Sequence, residues 1–235
     1  MPYRRLPNTD AARIRAMEKA LLKGKELPPF NLAYTPKTFV RLQAFLPSFK
    51  HNYQLQRESY SKKVESNKDY QKLMKKAKTY INHFLRVMTM AVQRKDIRQD
   101  TPEFFGLSGE QSSLPMLSTE KDIIYWGKKV MEGEAARIKA GRTPISNPTM
   151  AVVKVHYENF LEAYHFQKTL HKKTLAYSEI ISDLRQQADK MIAELWNEVE
   201  DTFSDLPEEK KRSESENYGL TYVFRKSELH KIEEN

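Results

Sequence analysis

Cysteine is missing from all 235 residues, which excludes a disulfide scaffold, thiol catalysis and every cysteine-based zinc site. Glycine is scarce, with 7 residues, and no G-x-G-x-x-G or G-x-x-x-x-G-K-[ST] run occurs. Backbone loops that cradle phosphate therefore have no counterpart here, and without a G-x-S-x-G elbow a serine nucleophile has no support either. The segment 1–18 carries Arg4, Arg5, Arg13 and Arg15 but no apolar core, unlike a secretory signal. No stretch of about 18 uncharged apolar residues could cross a bilayer. These absences predict a soluble cytoplasmic protein with no membrane contact, no cofactor and no enzymatic activity.

Charge is present in quantity and unevenly placed. Residues 1–100 hold 22 Lys and Arg against 8 Asp and Glu, a surplus of 14 positives, whereas residues 101–235 hold 18 against 23, a deficit of 5. Basic and acidic helices lying against each other in one bundle would account for this division, as would a basic surface for a polyanion.

Apolar residues recur at helical spacing. A first helix is predicted from Asp10 to Leu22, capped by Asp10, with Ile14, Met17 and Leu21 on one stripe and Gly24 ending it. Thr35-Pro36 is a helix start, followed by a seam of Phe39, Leu42, Leu46, Phe49, Tyr53, Gln56 and Tyr60 at 3,4 spacing. Pro47 inside it is expected to kink or split the helix. A second run buries Tyr70, Leu73, Met74, Ala77, Ile81, Phe84, Leu85, Met88 and Val92, with Ser66-Asn67 as the expected turn between the runs. Residues 99–118 read as a loop. A helix then opens at Ser118-Thr119-Glu120 and ends near Gly141, with Ile123, Gly127, Val130, Met131 and Ile138 facing inward.

Asn147-Pro148 is the next start signal. Its seam runs Met150, Val153, Tyr157, Phe160 and Tyr164, turns polar at Gln167, His171, Thr174 and Ser178, and resumes from Ile181 to Phe203. The polar gap is either a turn or a wet interior layer, and Pro207 ends the run. Leu220 to Arg225 alternates like a strand. Its candidate partners are Phe30–Tyr34 or the same strand of a second copy.

Displacing the chain by 111 residues aligns Phe49 with Phe160, Tyr53 with Tyr164, Gln56 with Gln167, Leu73 with Leu184, Ala77 with Ala188 and Ile81 with Ile192. At an offset of 113, Phe105-Gly106-Leu107 meets Tyr218-Gly219-Leu220. Any two heptad-patterned helices align at some offset, but the shared Xaa-Pro starts and aromatic-Gly-Leu ends are not heptad features. The expected fold is all-α: an elongated bundle of four or more long helices, read as two duplicated helical hairpins with a small C-terminal β element. The segments are then a short helix and loop over 1–35, a first hairpin over 36–107, and a loop and connecting helix over 108–147. A second hairpin over 148–220 and a strand and tail over 221–235 complete the chain.

Few side chains carry a chemical suggestion. Glu162 and His165 form one E-x-x-H, but a di-metal bundle needs two, and the displaced positions are His51 and Gln54. His156, His165 and His171 point in different directions on one helix. The Arg142–Asn147 segment puts an arginine and hydroxyls before a helix start, as many helices do. The densest basic stretch places Lys68, Lys72, Lys75 and Lys76 on one face opposite the apolar seam, a surface that could meet phosphates, or pair with Glu194, Glu198, Asp201 and Asp205. The expected role is that of a structural or protein-interaction module, partnered or self-associating, with nonspecific nucleic-acid binding as the alternative.

Overall fold

The computed structural model describes residues 2–107 and 114–224. Helix α1 spans Asp10–Glu26, α2 Pro36–Gln93, α3 Glu120–Lys139, α4 Met150–Thr202 and α5 Glu208–Glu216. Strand β1, Tyr3–Arg4, pairs antiparallel with β2, Tyr222–Val223. Short 3-10 turns cover Pro29–Asn31 and Thr101–Phe105. The fold is all-α with one tiny sheet.

The two long runs are not hairpins. Helix α2 is 58 residues without interruption and α4 is 53, so no turn occurs at Ser66-Asn67 or between Gln167 and Ser178. Ser and Asn each cost only a fraction of a kcal/mol in a helix interior, roughly 0.5, and apolar packing resumes on both sides of each polar stretch. Pro47 likewise lies inside α2 without splitting it. Of the polar gap of α4 only Thr174 is buried, while Gln167 and Ser178 are half-buried and His171 is exposed. Thr174 and Ser59 are both buried, and the Thr174 hydroxyl donates to the Ser59 carbonyl at 3.5 Å.

By its contacts the chain divides into two compact units. The first comprises residues 1–60 and 173–235, the second residues 61–172. In the first unit, α1 and the opening of α2 pack on the closing half of α4 around Met17, Leu42, Phe49, Ile192, Leu195 and Trp196. Thr9, rather than Asp10, caps α1, its hydroxyl accepting from the Ala12 amide at 3.2 Å. Asp10 instead receives both nitrogens of Arg185 at 2.8 and 2.7 Å, and Arg13 grips Asp189 at 2.7 and 2.9 Å. Gly24 does not end α1; it lies within the helix, where an added Cβ would stand 2.5 Å from both Phe39 and the Tyr34 hydroxyl. The C-terminal strand does not pair with Phe30–Tyr34. Its partner is the N-terminal Tyr3-Arg4, in register Tyr3 to Val223 and Arg4 to Tyr222.

The second unit packs α3 and the opening of α4 on the closing half of α2, around Ala77, Ile81, Phe84, Met88, Val130 and Phe160. Thr119 and Asp122 form a reciprocal capping box at the start of α3, as Ser118-Thr119-Glu120 implies. Asp122 is held below the usual carboxylate range by the amide and hydroxyl of Thr119. Helix α4 begins at Met150, two residues after the cis bond joining Asn147 to Pro148. Gly127 on α3 is closed over by Tyr157, whose hydroxyl donates to the Ile124 carbonyl at 2.9 Å.

Candidate functional site

The lysine row lies on the exposed side of α2 in the second unit, with Lys68, Lys72, Lys75 and Lys76 all in solvent. Among the described residues only Lys72 has a carboxylate partner, Asp69 one turn back at 3.0 Å, and that pair is itself exposed. Two of the four acids expected to neutralise the row, Glu194 and Glu198, are bonded to other partners. Glu194 bonds Arg41 at 2.6 Å, and Glu198 accepts from the Thr35 amide and the Thr38 hydroxyl at 2.7 and 2.6 Å. The reason is local: these acids sit on the face of α4 that packs against α1 and the start of α2, within the first unit.

The other sequence leads dissolve on inspection. Glu162 and His165 are both exposed, and among the described residues no group of three His, Asp or Glu side chains converges. His156 stacks on Tyr80 with ring centroids 4.0 Å apart, while His171 meets Lys63 at 3.1 Å. Arg142 donates to Asp100 at 2.8 Å and is therefore already partnered.

Sequence reasoning missed a buried ion pair. Glu134 and Arg137 on α3 are 0% and 1% exposed. Arg137 Nε donates to Glu134 at 2.8 Å and its Nη2 to the Thr143 carbonyl at 2.6 Å, while Glu134 accepts from the Ile145 amide at 2.8 Å. The pair fastens the 140–146 loop to α3. The signal was present: Gly127, Val130, Glu134 and Arg137 continue one 3,4,3 seam, whereas the expected Ile138 is exposed.

Two recesses of the first unit are lined for binding. One is a groove of about 680 Å³ between α1 and α2, floored by Leu21, Leu22, Leu46 and Pro47 and rimmed by Lys25, Lys50 and His51. Leu22 is 57% exposed there, whereas Leu46 is 4% exposed. The single acid of the rim, Glu18, is bound by Lys50 at 2.6 Å.

The second is a cavity of about 480 Å³ beneath the N-terminal segment, bounded by α1, Trp196 and the chain around Gly219. Gly219 adopts φ +93° and touches the backbone of Ala16, an approach that a Cβ at 2.5 Å from the Ala16 carbonyl would forbid.

Among the described residues no helix is long and apolar enough to cross a membrane. The class that fold and surface define is an all-α protein of two helical units. Comparison with protein-family models, curated proteins and solved structures finds no match to this chain.

Proposed function

We propose that this chain is a non-enzymatic, cytoplasmic interaction module, and that the groove between α1 and α2 is its docking surface. The observation that carries this is Leu22, a large apolar side chain left mostly in solvent beside a well-buried Leu46. A groove with an apolar floor is the receptor half of helix-in-groove recognition. The rim selects the occupant. With Glu18 already held by Lys50, the charge of the rim left without an ion pair among the described residues is the positive one of Lys25, so the partner is one amphipathic helix with leucine-like anchors and acidic flanks.

Selection from a displayed library of helical peptides tests this. Enriched peptides should carry apolar residues at i, i+3 or i+4, and i+7 with Asp or Glu beside them, and should lose binding to Leu22→Asp. If binders are enriched that ignore both Leu22→Asp and Lys25→Glu, the groove is not the docking surface. Concentration-dependent dimerisation lost in Leu22→Asp would instead make a second copy the occupant and sink the acidic-helix reading.

A specific observation favours a second reading, nonspecific nucleic-acid binding. Among the described residues Lys68, Lys75 and Lys76 have no carboxylate partner; they are exposed, and phosphates would neutralise them with strong salt dependence. Mobility shift at low salt should then disappear in the Lys68→Glu, Lys72→Glu, Lys75→Glu, Lys76→Glu protein. Absence of any shift for the unmodified chain at high concentration would remove this reading.

We also infer an internal duplication, with a different repeat from two hairpins. Each half runs from a threonine-capped short helix, through a connection of similar length, into one long helix. Thr9 caps α1 and Thr119 caps α3, and the halves reach Gly106 and Gly219 at φ +69° and +93° between buried neighbours. The aligned Phe49 and Phe160, Ala77 and Ala188, and Ile81 and Ile192 are all fully buried. Residues 39–60 together with α1 should superpose on residues 150–171 together with α3, placing Phe49 on Phe160. A different register would refute the duplication.

A further inference from the structure

The cavity beneath the N-terminal segment is lined by cations. Arg5, Arg15 and Lys19 line it, and among the described residues no aspartate or glutamate does. Among the described residues none of these three is in an ion pair. Arg15 and Lys19 stand one turn apart on the same face of α1, and Arg5 is set opposite by the hydrogen bond from its amide to the Thr221 carbonyl at 2.9 Å. Behind the cations the walls are apolar, with Leu6, Pro7, Ala16 and Val223.

Trp196 provides an independent sign of a ligand. It lines the same cavity and is 1% exposed, yet among the described residues its buried indole Nε1–H has no hydrogen-bond partner. A buried donor without a partner carries a desolvation cost, which an acceptor on a bound molecule would relieve. The cavity's volume of about 480 Å³ lies in the range of small-molecule sites.

We propose that this cavity binds a small soluble organic anion: a flat or short apolar body carrying a phosphate, sulfonate or carboxylate. The anionic group lies between Arg5, Arg15 and Lys19, where charge-assisted hydrogen bonds are strongest, and the body lies against Leu6, Val223 and the Trp196 ring. The site shares no lining residue with the α1–α2 groove, so the two assignments fail or stand separately.

The experiment uses 8-anilinonaphthalene-1-sulfonate as the probe, on the full chain with Trp126→Phe so that Trp196 alone transfers energy to it. One saturable site per chain is expected, with energy transfer from Trp196. Arg15→Glu and Lys19→Glu, at exposed positions that leave helicity intact, should each weaken binding about tenfold or more, as hydrogen bonds to charged groups do. Trp196→Phe should weaken intrinsic probe binding several-fold, and uncharged N-phenyl-1-naphthylamine should bind far more weakly than the sulfonate. Unsaturable binding, equal affinity for the uncharged probe, or affinity unchanged by both charge reversals would overturn the proposal. Co-sedimentation with phosphatidylglycerol vesicles that is lost in Arg15→Glu would assign the site to a lipid headgroup and overturn it as a soluble-ligand site.

Discussion

At the scale of single residues, the most consequential pair is the one furthest from water. Glu134 has its carboxylate filled by Arg137 and the Ile145 amide, so removing the arginine leaves a buried, partly unpaired charge. Arg137→Met is expected to cost about 3–5 kcal/mol, measured by urea unfolding, because a broken buried pair loses its compensation while retaining its desolvation. Adding Glu134→Gln to Arg137→Met should recover part of that loss. A single-variant loss below about 1 kcal/mol would show the pair to be dispensable. The tyrosines make a second prediction. Burial raises the Tyr34, Tyr70 and Tyr157 phenols above their ordinary value, with Glu120 adding to the rise at Tyr70, and Tyr222 is pushed up to about 12 by burial and its bond to Glu200. The unfolded chain therefore loses these protons first. Their contribution is complete below the unfolded value of 10 and is lost as the pH rises from there through the folded values. Urea midpoints should fall steadily above about pH 10, and Tyr34→Phe should flatten the slope; a midpoint independent of pH in alkali would contradict this.

At the scale of elements, spacing translated well and boundaries less so. The stripe Met17, Leu42, Phe49, Ala77, Ile81, Phe84, Val153, Phe160 and Ile181 is buried as its periodicity implies. Thr35-Pro36 and Ser118-Thr119-Glu120 open helices because a hydroxyl accepting an orphan amide is a purely local event. What spacing overstated was the power of single polar or cyclic residues to stop a helix. Ser66, Asn67 and Pro47 all lie within α2, since a packed face on either side outweighs a local cost. The burial of Glu134 was concealed by residue type, because carboxylates are seldom interior. Gly127→Ala tests how far packing outweighs propensity. Alanine favours a helix by about 1 kcal/mol over glycine, but its Cβ would stand 2.2 Å from the Tyr157 ring. We expect a net loss of about 1–3 kcal/mol from the forced displacement of that ring. A gain in stability on chemical denaturation would mean that Tyr157 yields freely.

At the scale of the whole molecule, two long helices each contribute to both compact units. Melting either unit would leave half of each long helix without the apolar face that stabilises it, so the chain is expected to unfold in one cooperative step. Each unit contains one tryptophan, Trp196 in the first and Trp126 in the second. Fluorescence of the Trp126→Phe protein follows the first unit, that of Trp196→Phe the second, and each should coincide with loss of helicity in the same variant. Separate midpoints would show the units to be independent.

By itself the sequence determined the helical class, the buried stripes, two of the helix starts and the exposed lysine row, because periodicity and capping depend only on residues within a few positions of one another. The tertiary structure alone decided that each long run is one helix, that β2 pairs with the N-terminal Tyr3-Arg4, that Glu134 and Arg137 are interior, and that Arg5, Arg15, Lys19 and Trp196 meet around one cavity. Those outcomes join residues as much as 220 positions apart, and no local pattern records which distant surfaces will exclude water together.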